Sequence, residues 1–169
     1  MYKALVRFRT RLTMRRLSRG ELDKALTVFS PSSVFCFYGN HALGGELRGA
    51  DGARAFFERT FRLFPGVTIE PLRVAVNGWP WNTLLCTRFS IRARLADGSD
   101  YRNEGMQYAR LRWGKVVEDR LFEDTQALVD ALAVVARLGN DEATAPPLGP
   151  VPADSAGIMP RSGTLQPTN

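Results

Sequence analysis

VTIEPLRVAV at residues 67–76, TLLCTRFSIRARL at 83–95, YRNEGMQYARLRW at 101–113 and VVEDRLF at 116–122 are four stretches rich in β-branched and aromatic residues. Only short polar or glycine-containing segments part them. Asn77-Gly78, Asp97-Gly98 and Gly114-Lys115 are each a turn signal of hairpin type. Strands this long, following one another through tight turns, predict an antiparallel and strongly curved sheet.

Upstream of this meander the hydrophobic period changes from two to that of a helix. Leu5, Phe8 and Leu12 recur at helical spacing through Tyr2–Leu17, which predicts an amphipathic helix with its arginines outside. Ser18 and Glu21 have the form of a capping box for a second helix, whose stripe is Leu22, Ala25, Leu26 and Phe29 and which Pro31 ends. Val34–Tyr38 reads as a strand, and Gly39, Gly44 and Gly45 break it into a loop before a short extended piece at Glu46–Arg48. Asp51 suits the N-cap of a third helix carrying Ala55, Phe56, Phe57, Phe61 and Phe64, which ends at Pro65-Gly66. After the strands, Asp124 or Thr125 can cap a last helix through Leu128, Leu132, Val135 and Leu138, with Gly139 in the place of a C-terminal glycine. Residues 1–139 are thus one domain. Residues 140–169, rich in Pro, Gly and Ala, are expected to be a tail that is flexible or lies on the surface.

The 169 residues hold 23 Lys and Arg against 17 Asp and Glu, a net charge of +6. The arginines from Arg7 to Arg19 are the only dense basic group, and a solvated helix face explains them better than a phosphate backbone does. A nucleic-acid partner is disfavoured. No run approaches the roughly 18 apolar residues of a spanning helix, and no secretory leader is evident. A cytoplasmic location with no membrane partner is the expectation. Cys36 and Cys86 lack CxxC spacing and histidine partners, so buried free thiols are expected rather than a disulfide or a metal site. No metal and no cofactor is expected, because nucleotide-binding glycine patterns, P-loops and Ser-His-Asp arrangements are absent.

The element order, with the Val34–Gly45 strand and glycine loop, Leu47–Gly52, Ala96-Asp97-Gly98, and Gly114–Glu118 leading to Phe122-Glu123-Asp124, resembles one family. It is the cone-shaped α+β fold of nuclear transport factor 2, ketosteroid isomerase, limonene epoxide hydrolase and the SnoaL-like polyketide cyclases. The resemblance covers about residues 1–138 and implies a curved antiparallel sheet wrapped around the N-terminal helices. The Gly78–Thr83 and Asp124–Gln126 segments are most similar to the SnoaL-like subgroup.

Enzymes and binding modules share this architecture, so the pocket must decide. The resemblance places Phe37 where ketosteroid isomerase has its base and Gln107 near its oxyanion-stabilising acid, so that dyad is missing. Against limonene epoxide hydrolase, Arg88 matches, but Ser90 and Leu121 replace its two acids and Phe35 and Phe37 its Tyr and Asn. The remaining option is the cyclase type, with an acid on the last strand. Asp119 and Glu123 share the strand parity of Leu121, the pocket-facing position in the relatives. His41, the one histidine, lies in the glycine loop near the pocket mouth, either as an exposed loop residue or as an acid–base group. Arg88 needs an acid or a ligand carboxylate if buried, and Asp119 and Glu123 are its available partners. Catalytic candidates are therefore Asp119, Glu123, His41 and Arg88. Phe35, Phe37, Ser90, Asn103, Gln107 and Leu121 are the substrate-binding candidates, and all of these but Asn103 are expected to line one cavity on the concave side of the sheet with Arg88. Asp124 reads as a helix cap, and Trp79 and Trp81 as core packing, a sheet-edge contact or a stacking platform.

Two functions stay open at this point. One is a cofactor-independent isomerase, cyclase or hydratase acting on a hydrophobic carbonyl compound. The other is a non-catalytic module that binds a hydrophobic small molecule or another protein. A homodimer is also expected, because Leu85, Phe89, Ile91 and Leu95 lie opposite the parity of Arg88 and would leave an apolar convex face exposed.

Overall fold

A computed structural model describes residues 1–152. The elements run α1 (Tyr2–Ser18), α2 (Leu22–Leu26), β1 (Phe29–Phe37), β2 (Gly45–Arg48), α3 (Gly49–Leu63), β3 (Thr68–Trp79), β4 (Asn82–Arg94), β5 (Asp100–Arg112), β6 (Lys115–Glu123) and α4 (Thr125–Arg137). A single turn of 3₁₀ helix follows at Asp141–Thr144. The expected meander is present, β3 to β6 pairing antiparallel in chain order. β1 then joins β6 in parallel, with β2 beyond it, so the six-stranded sheet is mixed, in the order β2-β1-β6-β5-β4-β3. The parallel pairing is possible because α3 and the meander lie between β1 and β6 in the chain.

The sheet curls around a core built from α1, α3 and α4 and from one parity of each strand. Phe35 and Phe37 of β1 meet Phe56 of α3 with ring centroids 4.8 and 5.2 Å apart, and burial of rings this large dominates such a core.

Several local expectations are corrected. Ser18 ends α1 rather than capping α2, and its hydroxyl instead donates to the Ile69 carbonyl and accepts from the Ile69 amide, pinning α1 to β3. Glu21 precedes α2 without a side-chain cap. α2 stops at Leu26, and Phe29 already belongs to β1; Pro31 is accommodated where the β1–β6 register shifts between Phe29 and Val34, the kind of irregularity where a strand tolerates proline. Arg48, not Asp51, occupies the N-cap of α3. The β3–β4 turn falls at Pro80-Trp81, because Asn77 and Gly78 stay in the ladder opposite Leu84 and Thr83. Leu5 and Phe8, expected to be buried, are exposed, and Val6, Met14 and Leu17 form the buried side of α1.

Asp97-Gly98 turns as read, and Asp124 caps α4 by accepting the amides of Gln126 and Ala127 at 3.0 and 3.2 Å. Of the tail, residues 140–152 pack onto the domain, Ala143 joining its core and Leu148 resting against it. Glu142 bridges Arg59 and Arg62 of α3, and the Leu148 amide and Pro150 carbonyl bond to Gly44 and Glu46. The flexibility expected for the rest of the tail concerns residues outside those described. Cys36 is buried and Cys86 half-buried, both as free thiols. Among the described residues no helix is long and apolar enough to cross a membrane.

Candidate active site: a carboxylate pair in an apolar cavity

Side chains alternate across a strand, so parity decides what reaches the concave side. On β6 that parity is Asp119, Leu121 and Glu123, on β5 Tyr101, Gln107 and Ala109, on β1 Phe35 and Phe37, and on β4 Leu85, Phe89 and Ile91; all of these line one cavity of about 150 Å³. Its wall is almost wholly hydrocarbon, completed by α1, Phe56 and Phe57 of α3, and Leu128 of α4.

Arg88 and Ser90 are therefore not in the cavity. The sequence alignment set β4 off by one residue, and a one-residue slip carries every side chain of a strand to the other face. Arg88 stands on the outer face and forms a two-nitrogen ion pair with Glu104 at 2.6–2.9 Å, both side chains more than half exposed. It does not pair with Asp119 or Glu123. Ser90 is buried on that outer side, its hydroxyl without a protein partner. The same correction removes the premise of the dimer argument, since Leu85, Phe89, Ile91 and Leu95 are core residues.

Asp119 is 3 % exposed. Gln107 donates from Nε2 to its Oδ2 at 2.9 Å, while Oδ1 has no protein partner. Burial pushes its carboxyl up to about 7, only partly opposed by the Gln107 hydrogen bond, because a charge taken from water is disfavoured unless compensated. Glu123, four residues on, is pushed up by burial to about 8. The Tyr101 hydroxyl and the Asn103 amide each reach Glu123 Oε2 at 3.4 Å. Asn103 stands behind the cavity wall: its amide also donates to the Tyr101 hydroxyl at 2.9 Å and to the Asp124 carbonyl at 3.0 Å, tying the end of β6 to β5. Burial and the neighbouring Glu123 carboxyl push the Tyr101 phenol well above its usual range.

The sequence reading missed Thr87. It lies directly opposite Gln107 on the concave parity of β4, fully buried, its hydroxyl unpaired. Gln107 Oε1 is unpaired as well. Three neighbouring strands thus bring together three buried polar atoms with unmet hydrogen-bonding capacity: Thr87 Oγ1, Gln107 Oε1 and Asp119 Oδ1. Buried polar atoms are rarely left so without a reason. The signal that could have found Thr87 was the apolar parity of Leu85, Phe89 and Ile91, which marks the core side of β4.

His41 is not an exposed loop residue, and it lies apart from the cavity lining. It is buried against Phe37, its Nδ1 accepting from the Leu43 amide and its Nε2 donating to the Tyr38 carbonyl. Both ring nitrogens are engaged, and desolvation lowers its pKa. The ring fits because residue 39 is glycine, where a Cβ would come within 2.3 Å of His41 Nε2. Trp79 and Trp81 are stacked on one another and exposed, so they are not core. Among the described residues no three His, Cys, Asp or Glu side chains form a cluster that could hold a metal ion.

Residues 10–119 match the family model described as SnoaL-like domain. No curated protein matches the chain. Among solved structures, PrhC from Penicillium brasilianum superposes with a TM-score of 0.67 at 14% identity, over 79% of this chain and 89% of that one. AclR from Streptomyces galilaeus, described as a putative hydroxylase, gives 0.61 at 17% identity over 81% and 84%. IdmH from Streptomyces antibioticus, described as a putative polyketide cyclase, gives 0.58 at 18% identity over 70% and 91%. At these identities the likeness is one of fold.

Proposed function

From the premise that this chain belongs to the SnoaL-like domain family, we propose that it is a cofactor-independent isomerase or cyclase acting on a hydrophobic carbonyl compound, with Asp119 as general base. The supporting observation is Asp119 itself, a buried carboxylate on an apolar wall with one oxygen held by Gln107 and the other free. A base is most effective when its pKa lies near the working pH, and a carboxyl at about 7 meets that condition.

In the proposed step Asp119 Oδ1 takes a proton from the carbon next to the substrate carbonyl. The C–H electron pair becomes the C=C bond of an enolate as the carbonyl π pair moves onto oxygen. Glu123, protonated at neutral pH by its raised pKa, and the second hydrogen of Gln107 Nε2 are the donors within the cavity for that oxygen, in a setting where water is largely excluded. Returning the proton to a different carbon shifts the double bond. Attack of the enolate carbon on a second carbonyl closes a ring, and Asp119 then protonates the new alkoxide.

The test needs no knowledge of the natural substrate. Deuterium exchange at the α-carbon of 2-tetralone in D₂O, followed by proton NMR, should be accelerated by the wild-type protein and not by Asp119→Asn. If 2-tetralone binds, seen as a ligand-dependent rise in Tm, while exchange is unchanged, the cavity is a binding site only and the enzyme reading falls.

A further inference from the structure

All three tryptophans of the chain, Trp79, Trp81 and Trp113, come together at one exposed spot. Trp79 and Trp81 stack with centroids 5.8 Å apart, and Trp81 meets Trp113 at 6.3 Å. They sit on the tips of two hairpins tied by a bond from the Trp113 amide to the Pro80 carbonyl. Trp113 occupies this tip at φ +51°, a conformation unfavourable for a bulky residue. Each of the three is at least 55 % exposed. Soluble surfaces seldom gather large rings this way without an interaction to serve.

The start of α1 lies against the same end. The Tyr2 hydroxyl bonds Thr83, whose own hydroxyl bonds the Trp79 carbonyl, and the Arg9 guanidinium lies over Gly114. Leu5 and Phe8, one turn apart on α1, are more than half exposed. The cavity also reaches the surface here, Leu5 and Arg9 being exposed residues that line it. No Asp or Glu occurs in residues 1–20, 76–86 or 109–117, the segments that meet at this end, whereas Lys3, Arg7, Arg9, Arg11, Arg112 and Lys115 do.

We infer that this end of the molecule docks on the surface of an anionic lipid bilayer, so that the cavity mouth faces the membrane. Indole rings prefer the water–hydrocarbon boundary, where an apolar body and a polar N–H are both satisfied. Cationic side chains around them add attraction to acidic headgroups. Exposed Leu5 and Phe8 fit a hydrocarbon boundary better than a phosphate backbone, which sets a bilayer above a nucleic acid as the occupant. No spanning helix is needed, since the contact is peripheral. A hydrophobic ligand dissolved in the bilayer then enters the cavity without crossing water.

The tryptophans report on the test directly, because no other tryptophan contributes to the emission. The full chain is titrated with vesicles of phosphatidylcholine alone and of phosphatidylcholine mixed with phosphatidylserine. The expected result is a blue shift and protection from aqueous quencher with the mixed vesicles, reversed by salt, and co-sedimentation with them. Lys3→Gln/Arg7→Gln/Arg11→Gln, exposed or half-exposed changes on α1, should weaken that binding roughly fivefold per charge removed. Trp79→Ser/Trp81→Ser/Trp113→Asn, with asparagine suited to the positive φ, should abolish sedimentation while its thermal melt stays cooperative. The inference is overturned if the emission does not move with mixed vesicles or if either variant sediments like wild type. It is equally overturned if a single-stranded oligonucleotide produces the shift and vesicles do not, or if the shift and a doubled mass appear with rising protein concentration in the absence of lipid.

Discussion

The two faces of the same strands solve opposite problems. On the outer face of β4, β5 and β6, charges are numerous and met by neighbours: Arg88 with Glu104, Arg94 and Arg102 with Asp100, and Arg110 and Arg120 with Glu118. On the inner face charges are few and poorly met: Asp119 has one partner, and Glu123 has only long contacts. Solvent supports the outer charges at little cost, whereas an inner carboxyl has lost its water and shifts towards its neutral form. A group that is unremarkable on one side of a strand becomes chemically poised on the other, which is why the side of the sheet, and not the residue type, separates Asp119 from Glu104.

The largest effect that sharpens this contrast is on turnover. Asp119→Asn keeps the volume and the hydrogen-bonding shape but cannot take a proton, so α-proton exchange should fall by roughly 10²–10⁴, the usual contribution of a general base. The wild-type rate should follow a bell in pH, rising as Asp119 ionises near 7 and falling as Glu123 loses its proton near 8. A flat profile across that window would break the assignment of both roles.

The next effect is on stability. The native carboxyl of Asp119 holds its proton up to about 7, well above the value of an exposed aspartate. Between those two values the folded state binds the proton and the unfolded state does not, so stability falls as pH rises through this window. Asp119→Asn removes this contribution and leaves that of Glu123, whose carboxyl is raised as well. At pH 8 the variant should be more stable than wild type, by at most on the order of 4 kcal/mol, and the gap should close as the pH approaches 4. Melting curves at both pH values decide it, and a variant less stable at pH 8 would show that Asp119 is stabilised as a charge.

Much of the fold was legible in the sequence, because long alternating strands and glycine turns leave few other arrangements. The site was legible where parity had an anchor. On β6, Leu121 fixed the side of Asp119 and Glu123, and on β1, Phe35 and Phe37 fixed their own. On β4 one parity, Leu85, Phe89 and Ile91, needed a core while the other carries Arg88, Ser90, Arg92 and Arg94, and matching Arg88 to a functional arginine elsewhere overrode that signal. His41 was illegible for another reason. Its burial depends on the close approach of Gly39, a contact between loop residues that periodicity does not describe. Leu5 and Phe8 follow helical spacing but are more than half exposed, Leu5 reaching only the mouth of the cavity, since Val6, Met14 and Leu17 form the buried side of α1.

Gly105 offers a smaller effect, on the inner face. It lies opposite both Phe89 and Glu123, and a Cβ there would come within 2.5 Å of the Phe89 ring and 2.7 Å of the Phe122 carbonyl. The backbone oxygen cannot yield easily and the ring is packed, so Gly105→Ala should destabilise the domain by about 1–3 kcal/mol. Denaturant unfolding reads this directly. An unchanged midpoint would mean that the inner face is less tightly packed than its partner strands imply.

The smallest effect belongs to the outer face. Arg88 and Glu104 form the best-aligned pair there, two guanidinium nitrogens on one carboxylate oxygen at 2.6 and 2.9 Å. Both side chains are more than half exposed, so the ion pair replaces hydration that either charge would otherwise keep, and exposed pairs of this kind contribute about 0–1 kcal/mol. Arg88→Met should therefore change the unfolding free energy by less than about 1 kcal/mol and leave α-proton exchange within twofold of wild type. The arginine was the one charged residue that the resemblance to limonene epoxide hydrolase preserved, so this variant tests whether a matched residue type or the face it occupies carries the chemistry. A loss of exchange comparable to that of Asp119→Asn, with the melting temperature unchanged, would mean that the outer face takes part in the reaction and that the division between the two faces is wrong.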